Sequence, residues 1–161
     1  MMAVVEHGVV DAALAEAEAA CLRRGAQLTE LRRQVLRLVL EAGQPVGAYA
    51  LLDRLRVNRP GAAPPTVYRA LDFLLEHGLI HKVERLNAFI GCNSAVAHEH
   101  CEGRGHDHPH QFLICSRCGR TAELCNAAVA TAIASAAASA GFKATRSMVE
   151  IEGLCEACAV R

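Results

Sequence analysis

The stretch PPTVYRALDFLLEHGLIHKVERLNAFIGC, residues 64–92, decides the predicted fold of this chain. Its first half predicts a helix over 66–78, because prolines precede it, Gly78 ends it and its apolar residues recur at helical spacing. The apolar residues that share one face of this helix are Val67, Ala70, Leu71 and Leu74. The second half, 79–92, alternates apolar and polar residues around a turn near 85–87, which predicts a two-stranded hairpin.

Three more helix-forming segments precede this stretch and predict helices over 11–25, 28–43 and 48–58. Thr29 is a suitable N-cap for the second of these helices. Three or four short helices followed by a hairpin are typical of the winged-helix variant of the helix-turn-helix, in which the last helix enters the major groove. We therefore predict an N-terminal winged-helix DNA-binding domain over residues 1–92.

The C-terminal part of the chain predicts a second, smaller domain over 111–161. Strand-like segments and one helix of small residues follow in the order ββαβ, at 111–115, 120–124, 126–140 and 143–153. So small a unit buries little apolar surface, and an open sheet edge favours pairing with another chain, so we expect a dimerisation domain. The predicted fold class is α+β, with a His-rich hinge over 93–110 between the two domains.

Charge is unevenly distributed along the chain, although the formal net charge is zero. Residues 21–70 hold nine Arg against three acidic residues, a local balance of 9 − 3 = +6, whereas residues 91–161 hold six basic and seven acidic residues. A basic N-terminal half fits an electrostatic footprint for DNA, and the arginines of the second helix fit contacts to phosphates. A solvated Arg-rich surface is the alternative explanation.

No run of about 18 uncharged apolar residues occurs, so the sequence predicts no transmembrane helix and no membrane partner. The N-terminus lacks the basic and apolar regions of a secretory signal peptide. We therefore expect a cytoplasmic protein, and in that compartment cysteines bind metal more often than they form disulfides.

Two CxxC pairs carry the strongest chemical signal: Cys115 with Cys118, and Cys155 with Cys158, separated by 36 residues. Four thiolates from two short turns suit tetrahedral zinc in a closed structural site. Such a site would tie the first strands of the small domain to its C-terminal segment and contribute to its folding. A redox CxxC pair and buried, inert thiols are the alternatives.

Further candidate ligands lie in and around the hinge and form no single compact motif. They are His81, Cys92, His98, His100, Cys101, His106, Asp107, His108, His110 and Glu123. A metal held by the hairpin residues His81 and Cys92, one hinge histidine and Glu123 would connect the two domains, as a sensor requires. Thiolate with imidazole and carboxylate suits zinc better than iron or manganese. A loop that only buffers metal, or a structural His81, is the alternative.

Five stretches together resemble the Fur family of metal-dependent repressors, most closely its zinc-sensing branch. They are LTELRRQVLRLV, AYALLDRLR, PPTVYRALDFLLEHGLIHKVERLNAFIGC, FLICSRCGRTAEL and GLCEACAV. The resemblance covers roughly residues 10–161. The resemblance implies a homodimer that binds double-stranded, pseudo-palindromic operator DNA and represses zinc-uptake genes when zinc is plentiful. It implies no small-molecule substrate.

The resemblance also implies at least two zinc ions per subunit and a role for particular residues. The implied ligands of the structural zinc are Cys115, Cys118, Cys155 and Cys158. The implied ligands of the regulatory zinc are His81, Cys92, His108 and Glu123. The hinge is longer and richer in His than the family pattern requires, so His110 is an alternative to His108. The implied DNA contacts are Tyr49, Thr66, Tyr68 and Arg69.

Other functions fit parts of the pattern. An iron or peroxide sensor is disfavoured by Cys92, because a site of oxygen and nitrogen ligands suits Fe(II) better. A zinc enzyme of the deaminase type would pair H-x-E with P-C-x-x-C, whereas 98–100 reads HEH and Cys115 follows Ile114, so we predict no enzyme. A DNA-binding protein that uses metal only to hold its fold is the remaining alternative.

Overall fold

The computed structural model describes residues 7–92, 110–124, 126–145 and 147–160. The chain divides into two compact units with a boundary after residue 95. The hinge that we predict over 93–110 stays a prediction, because all of it except His110 lies outside the described residues. No helix in the described ranges is long and apolar enough to cross a bilayer.

The first unit consists of four helices followed by a hairpin. Its elements are α1 (His7–Arg23), α2 (Glu30–Ala42), α3 (Ala48–Asn58), α4 (Pro64–Glu76), β1 (Ile80–Val83), a 3-10 turn (Glu84–Leu86) and β2 (Ala88–Gly91). The strands of the hairpin are antiparallel, with His81 opposite Ile90 and Val83 opposite Ala88. This order is the predicted winged-helix order.

The helix boundaries follow from local chemistry. α4 begins with two prolines, whose missing N–H groups cost nothing in the first turn. The chain leaves this helix through Gly78, whose φ of 68° favours glycine. Thr29 is the N-cap of α2 as predicted, but its side chain makes no capping hydrogen bond.

The core of this unit lies where α1, α2, α3 and α4 pack together. The predicted face of α4 is confirmed, since Val67, Ala70, Leu71 and Leu74 are all buried. The wing is tied to this core by a bridge in which Val46, between α2 and α3, exchanges backbone hydrogen bonds of 2.9 and 2.8 Å with Phe89 of β2. The hairpin is therefore held by the helical bundle.

The second unit has the predicted ββαβ order with a short helix added. Its elements are β3 (His110–Cys115), β4 (Thr121–Leu124), α5 (Ala127–Ser139), β5 (Met148–Gly153) and α6 (Glu156–Ala159). β3 is central, antiparallel to β4 and parallel to β5. The third strand begins at Met148 rather than at residue 143, and α6 was not predicted.

An apolar surface of the second unit stays uncovered in the single chain. No residue of α5 is buried, although this helix consists of Ala, Val, Ile, Ser and Thr alone. On the sheet, Leu113 and Ile151 are register partners on β3 and β5, and they are 42 % and 45 % exposed. Apolar surface of this kind favours association with a partner.

Candidate metal sites and nucleic-acid interface

The four cysteines of the CxxC pairs come together in the second unit. Cys115 ends β3, Cys118 closes the turn after it, Cys155 is the N-cap of α6, and Cys158 lies within α6. The four sulfur atoms all lie within 4.8 Å of one another. Each pair is shaped by a tight turn, since Gly119 N–H donates to the Cys115 carbonyl and Cys158 N–H to the Cys155 carbonyl.

The cluster has dimensions that fit a tetrahedral zinc ion. Zn–S bonds of about 2.3 Å require sulfur–sulfur edges of about 3.8 Å in a tetrahedron. The Sγ atoms of Cys118 and Cys155 are 3.7 Å apart. The donor set and its spacing therefore suit zinc without rearrangement of the backbone.

The thiols of this cluster perturb one another. Hydrogen bonds from the backbone of Cys155 and Cys118 favour the thiolate of Cys115 and lower its pKa to about 6. A hydrogen bond with the Cys155 side chain, together with desolvation, raises the pKa of Cys158 to about 12. A thiolate at one cysteine of the cluster therefore disfavours ionisation of a second thiol until a cation is present.

His110 and Glu123 form a pair elsewhere in the second unit. His110 Nδ1 lies 3.1 Å from Glu123 Oε1, and only 8 % of His110 is exposed. The two residues lie on the neighbouring strands β3 and β4, so their backbones are held by the sheet ladder. His108 lies outside the described residues, whereas His110, the alternative ligand, is the first residue of β3.

His81 and Cys92 form a second pair of candidate ligands, in the first unit. His81 is 3 % exposed on β1, and Cys92 follows β2 and is half-buried. The register places His81 opposite Ile90, and the Cys92 N–H donates to the Leu79 carbonyl. His81 and Cys92 are therefore diagonal neighbours on one face of the hairpin.

The residues implied for DNA lie on α3 and α4. Tyr49, in the first turn of α3, is 67 % exposed, and Tyr68 on α4 is 43 % exposed. Arg69 is also exposed, and Thr66 is half-buried in the first turn of α4. Arg69 makes no ion pair or hydrogen bond with any described residue, so its guanidinium is available to a ligand.

The arginines of α2, which we predict to contact phosphates, make contacts within the unit in the single chain. Two of them bind acidic residues of α1: Arg33 lies 2.7 Å from Glu18, and Arg37 lies 2.6 Å from Asp11. The hydrogen bond that Arg37 donates to the Asp11 carboxylate raises the pKa of Arg37. These two acids lie seven residues apart on one helix, outside the range 21–70 over which the local charge balance is +6.

Arg32, the remaining arginine of α2, also makes contacts within the unit. The guanidinium carbon of Arg32 lies 3.6 Å from the centre of the Phe73 ring on α4, and its Nη1 donates to the Gln27 carbonyl at 2.7 Å. Such cation–π contacts stabilise the packing of two helices. The α2 arginines thus hold the helices of this unit together, and the +6 local balance overstates the charge that is free for DNA.

Known proteins are similar to this chain in sequence and in fold over most of their lengths. The chain is 42 % identical over 145 residues to the zinc uptake regulation protein of Escherichia coli strain K12, covering 90 % of this chain and 80 % of that protein. A solved zinc uptake regulator complexed with zinc and DNA is 40 % identical, with a TM-score of 0.83, and 94 % of this chain and 95 % of that chain are covered. The crystal structure of holo XcZur is 42 % identical over 92 % of this chain and 97 % of that chain, with a TM-score of 0.76.

The family itself is shown by the extent of the match. Residues 23–152, which include α2, α3, α4, the hairpin and the sheet of the second unit up to residue 152, match the ferric uptake regulator family. The predicted α+β fold and the family resemblance are thereby confirmed. This chain belongs to the ferric uptake regulator family.

Proposed function

We propose that the protein is a cytoplasmic, zinc-responsive transcriptional repressor that binds operator DNA as a zinc-loaded homodimer and controls zinc-uptake genes. The observation that carries the proposal is that His81 and Cys92, two candidate zinc ligands, lie on the wing hairpin of the DNA-binding unit. Ligation at this hairpin acts on the element that packs against α4. The 42 % identity to a zinc uptake regulation protein supports the same function.

The four-cysteine cluster is proposed as the structural zinc site of each subunit. Zinc bound there supplies four metal–thiolate bonds, and such sites contribute on the order of 10 kcal/mol to folding. Cys115 and Cys118 anchor the site to the end of β3, and Cys155 and Cys158 bring in α6. The second unit has few buried apolar side chains among its described residues, so this linkage is a large part of its stability.

A second, regulatory zinc is proposed on His81, Cys92, Glu123 and one histidine of the hinge. The choice between His108 and His110 is open to test, and the 3.1 Å contact of His110 with Glu123 supports His110 as a ligand. Thiolate, imidazole and carboxylate together favour zinc over the harder cations. Because Cys92 supplies a soft donor, an iron or peroxide sensor is the weaker candidate.

Regulation follows from where these ligands belong in the chain. His81 and Cys92 belong to the first unit and Glu123 to the second, so their joint ligation couples the DNA-binding unit to the dimerisation unit. Coupling of this kind shifts the population towards a DNA-competent dimer. By linkage, operator DNA raises zinc affinity by the factor by which zinc raises DNA affinity.

The proposed dimer and its DNA contacts use the exposed residues described above. Dimerisation through the second unit would cover α5 and the Leu113–Ile151 surface, which are exposed in a single chain. A two-fold dimer presents two copies of α4 to half-sites about 34 Å apart, which favours a pseudo-palindromic operator. Arg69 can offer two donors to a guanine, and Tyr49 and Tyr68 can contact phosphates or a thymine methyl.

A mobility-shift titration with a candidate operator tests the proposal. Zinc is expected to raise operator affinity of the wild type at least tenfold, and Cys92→Ser is expected to remove this response while the four-cysteine zinc is retained. If wild-type affinity does not change with zinc, the protein is not a zinc-dependent repressor. A response to Fe(II) under anaerobic conditions, without one to zinc, would identify an iron sensor instead.

A further inference from the structure

The two CxxC segments are joined by protein hydrogen bonds as well as by the sulfur cluster. Arg117, between Cys115 and Cys118, donates from Nη1 to the carbonyl oxygen of Cys158 at 2.8 Å. Its neighbour Ser116 donates twice to the Gly153 carbonyl, from its backbone N–H at 2.8 Å and from Oγ at 3.1 Å. The first CxxC segment is therefore hydrogen-bonded to the second on both sides of Cys155, at the carbonyls of Gly153 and Cys158.

The second CxxC segment has little else to hold it. α6 contains four residues, and none of them is buried. Leu154 and Val160, which flank this segment, are 51 % and 84 % exposed. Because apolar packing contributes little here, the position of the Cys158 sulfur depends on the metal and on the hydrogen bonds from Ser116 and Arg117.

We propose that Arg117 is a positioning residue of the four-cysteine site, which holds Cys158 in ligating geometry and slows the release of zinc. The proposal rests on the structural zinc of the proposed function. With zinc bound, the four thiolates would outweigh the charge of the ion, and a guanidinium bonded to the Cys158 carbonyl would offset part of the net negative charge. Residues that orient metal ligands in this way typically change metal affinity by about 10- to 100-fold when they are replaced.

The rest of the turn offers a matched control. Arg120 lies two residues after Cys118, is exposed, and its side chain contacts no described residue through an ion pair or hydrogen bond. Replacement of Arg120 removes a positive charge near the cluster but no link to Cys158. A comparison of Arg117 with Arg120 therefore separates the hydrogen bond from nearby charge.

The test is the rate at which the zinc-loaded full-length protein releases zinc to an excess of a metallochromic chelator. Arg117→Met is expected to accelerate release from the four-cysteine site about tenfold, at the lower end of the range for orienting residues because Arg117 is exposed. Arg117→Lys is expected to give an intermediate rate, and Arg120→Met the wild-type rate. Far-UV circular dichroism of the zinc-loaded variants checks that each is folded when release begins.

Two results would overturn the role of Arg117: release at the wild-type rate from Arg117→Met, or an equal acceleration by Arg120→Met. If Arg117→Met does not fold with zinc, the zinc-release rates of Arg117→Lys and Arg120→Lys are compared instead. Release at the wild-type rate from Arg117→Lys, or an equal acceleration by Arg120→Lys, would then overturn the role of Arg117. A protein that holds no zinc after Cys92→Ser, which removes a regulatory ligand, would instead contradict the structural zinc site. The two failures are therefore distinguishable.

Discussion

His110 Nδ1 lies 3.1 Å from Glu123 Oε1, across the neighbouring strands β3 and β4. Both side chains are largely enclosed, with 10 % and 17 % of their surfaces exposed. Because sheet hydrogen bonds hold both backbones, these two residues form a preorganised half of the proposed regulatory zinc site. The other half, His81 and Cys92, is likewise preorganised on the wing hairpin.

Replacement of a ligand in this pair is expected to remove only the regulatory zinc. Glu123→Ala should lower the zinc content by one ion per subunit and abolish zinc-dependent operator binding, since Glu123 belongs to the proposed regulatory site. His108→Ala and His110→Ala, measured side by side, identify the hinge ligand as the variant that loses this ion. Mass spectrometry of the native protein counts the zinc. Retention of both ions in Glu123→Ala would contradict the ligand set.

Zinc affinity of the four-cysteine site is expected to fall as pH falls, because zinc displaces protons from the thiols. Cys158, whose pKa is raised to about 12, must lose its proton on binding at any pH below that value. Cys115, whose pKa is lowered to about 6, is already a thiolate at pH 7 and competes with protons only below about 6. The slope of log affinity against pH should therefore steepen by about one below pH 6.

Chelator competition between pH 5 and 8 measures this slope for the zinc-loaded protein. The stability of the metal-free protein is also expected to depend on pH through Cys115. Its lowered Cys115 pKa contributes stability above the ordinary thiol pKa, and this contribution is lost as pH falls through about 6. An affinity that rises on acidification would be incompatible with thiolate ligands.

Two arginines of the first unit are expected to behave differently towards DNA. Arg69→Ala should weaken operator binding by about 1–3 kcal/mol and relax base preference, because a bidentate contact to guanine is lost. Arg33→Gln should leave the salt dependence of binding nearly unchanged, because Arg33 is already paired with Glu18 at 2.7 Å. Fluorescence anisotropy with operator and scrambled duplexes at several salt concentrations measures both effects. A shallower salt slope in Arg33→Gln would show that this arginine does contact phosphate.

Gly91 is expected to be intolerant of a side chain. A Cβ added there would lie 2.6 Å from Cδ2 of Leu40, so the end of β2 or the Leu40 side chain must shift. Gly91→Ala should destabilise the protein by roughly 1 kcal/mol, at the lower end of overpacking costs, because the group that must move is a terminal methyl of the half-buried Leu40. Gly61→Ala is the matched control, since nothing lies within 4 Å of its added Cβ. Urea denaturation measures the free energy of unfolding of both variants. Equal values would show that the Leu40 side chain can move without an energetic penalty.

A charge on the exposed sheet surface is expected to break the dimer. Leu113→Glu places a carboxylate beside Ile151 in the proposed interface, so burial on association would carry a desolvation penalty. Leu86→Glu is the control, because Leu86 is similarly exposed, at 38 %, but lies on the wing turn. Sedimentation velocity should show a monomer for Leu113→Glu and a dimer for Leu86→Glu. A dimer in both would place the interface elsewhere.

The local elements were predictable from the sequence because their signals lie within single segments. The buried face of α4 followed from its helical spacing, and the hairpin from alternation around the 85–87 turn. The CxxC spacing predicted a metal-binding cysteine cluster, because the two intervening residues of each pair are enough for a tight turn between its cysteines. The predicted start of β5 at residue 143 is five residues too early, because the chain from 143 to 145 has no strand partner among the described residues.

By itself, the sequence determined the kinds of element, the winged-helix order and the residues able to bind metal. Only the tertiary structure decided which distant residues meet: Arg33 with Glu18, Arg117 with Cys158, and β5 in parallel beside β3. The physical reason is range. Periodicity and turn chemistry act between near neighbours in the chain, whereas ion pairs and strand order depend on how whole elements pack, which no short spacing encodes.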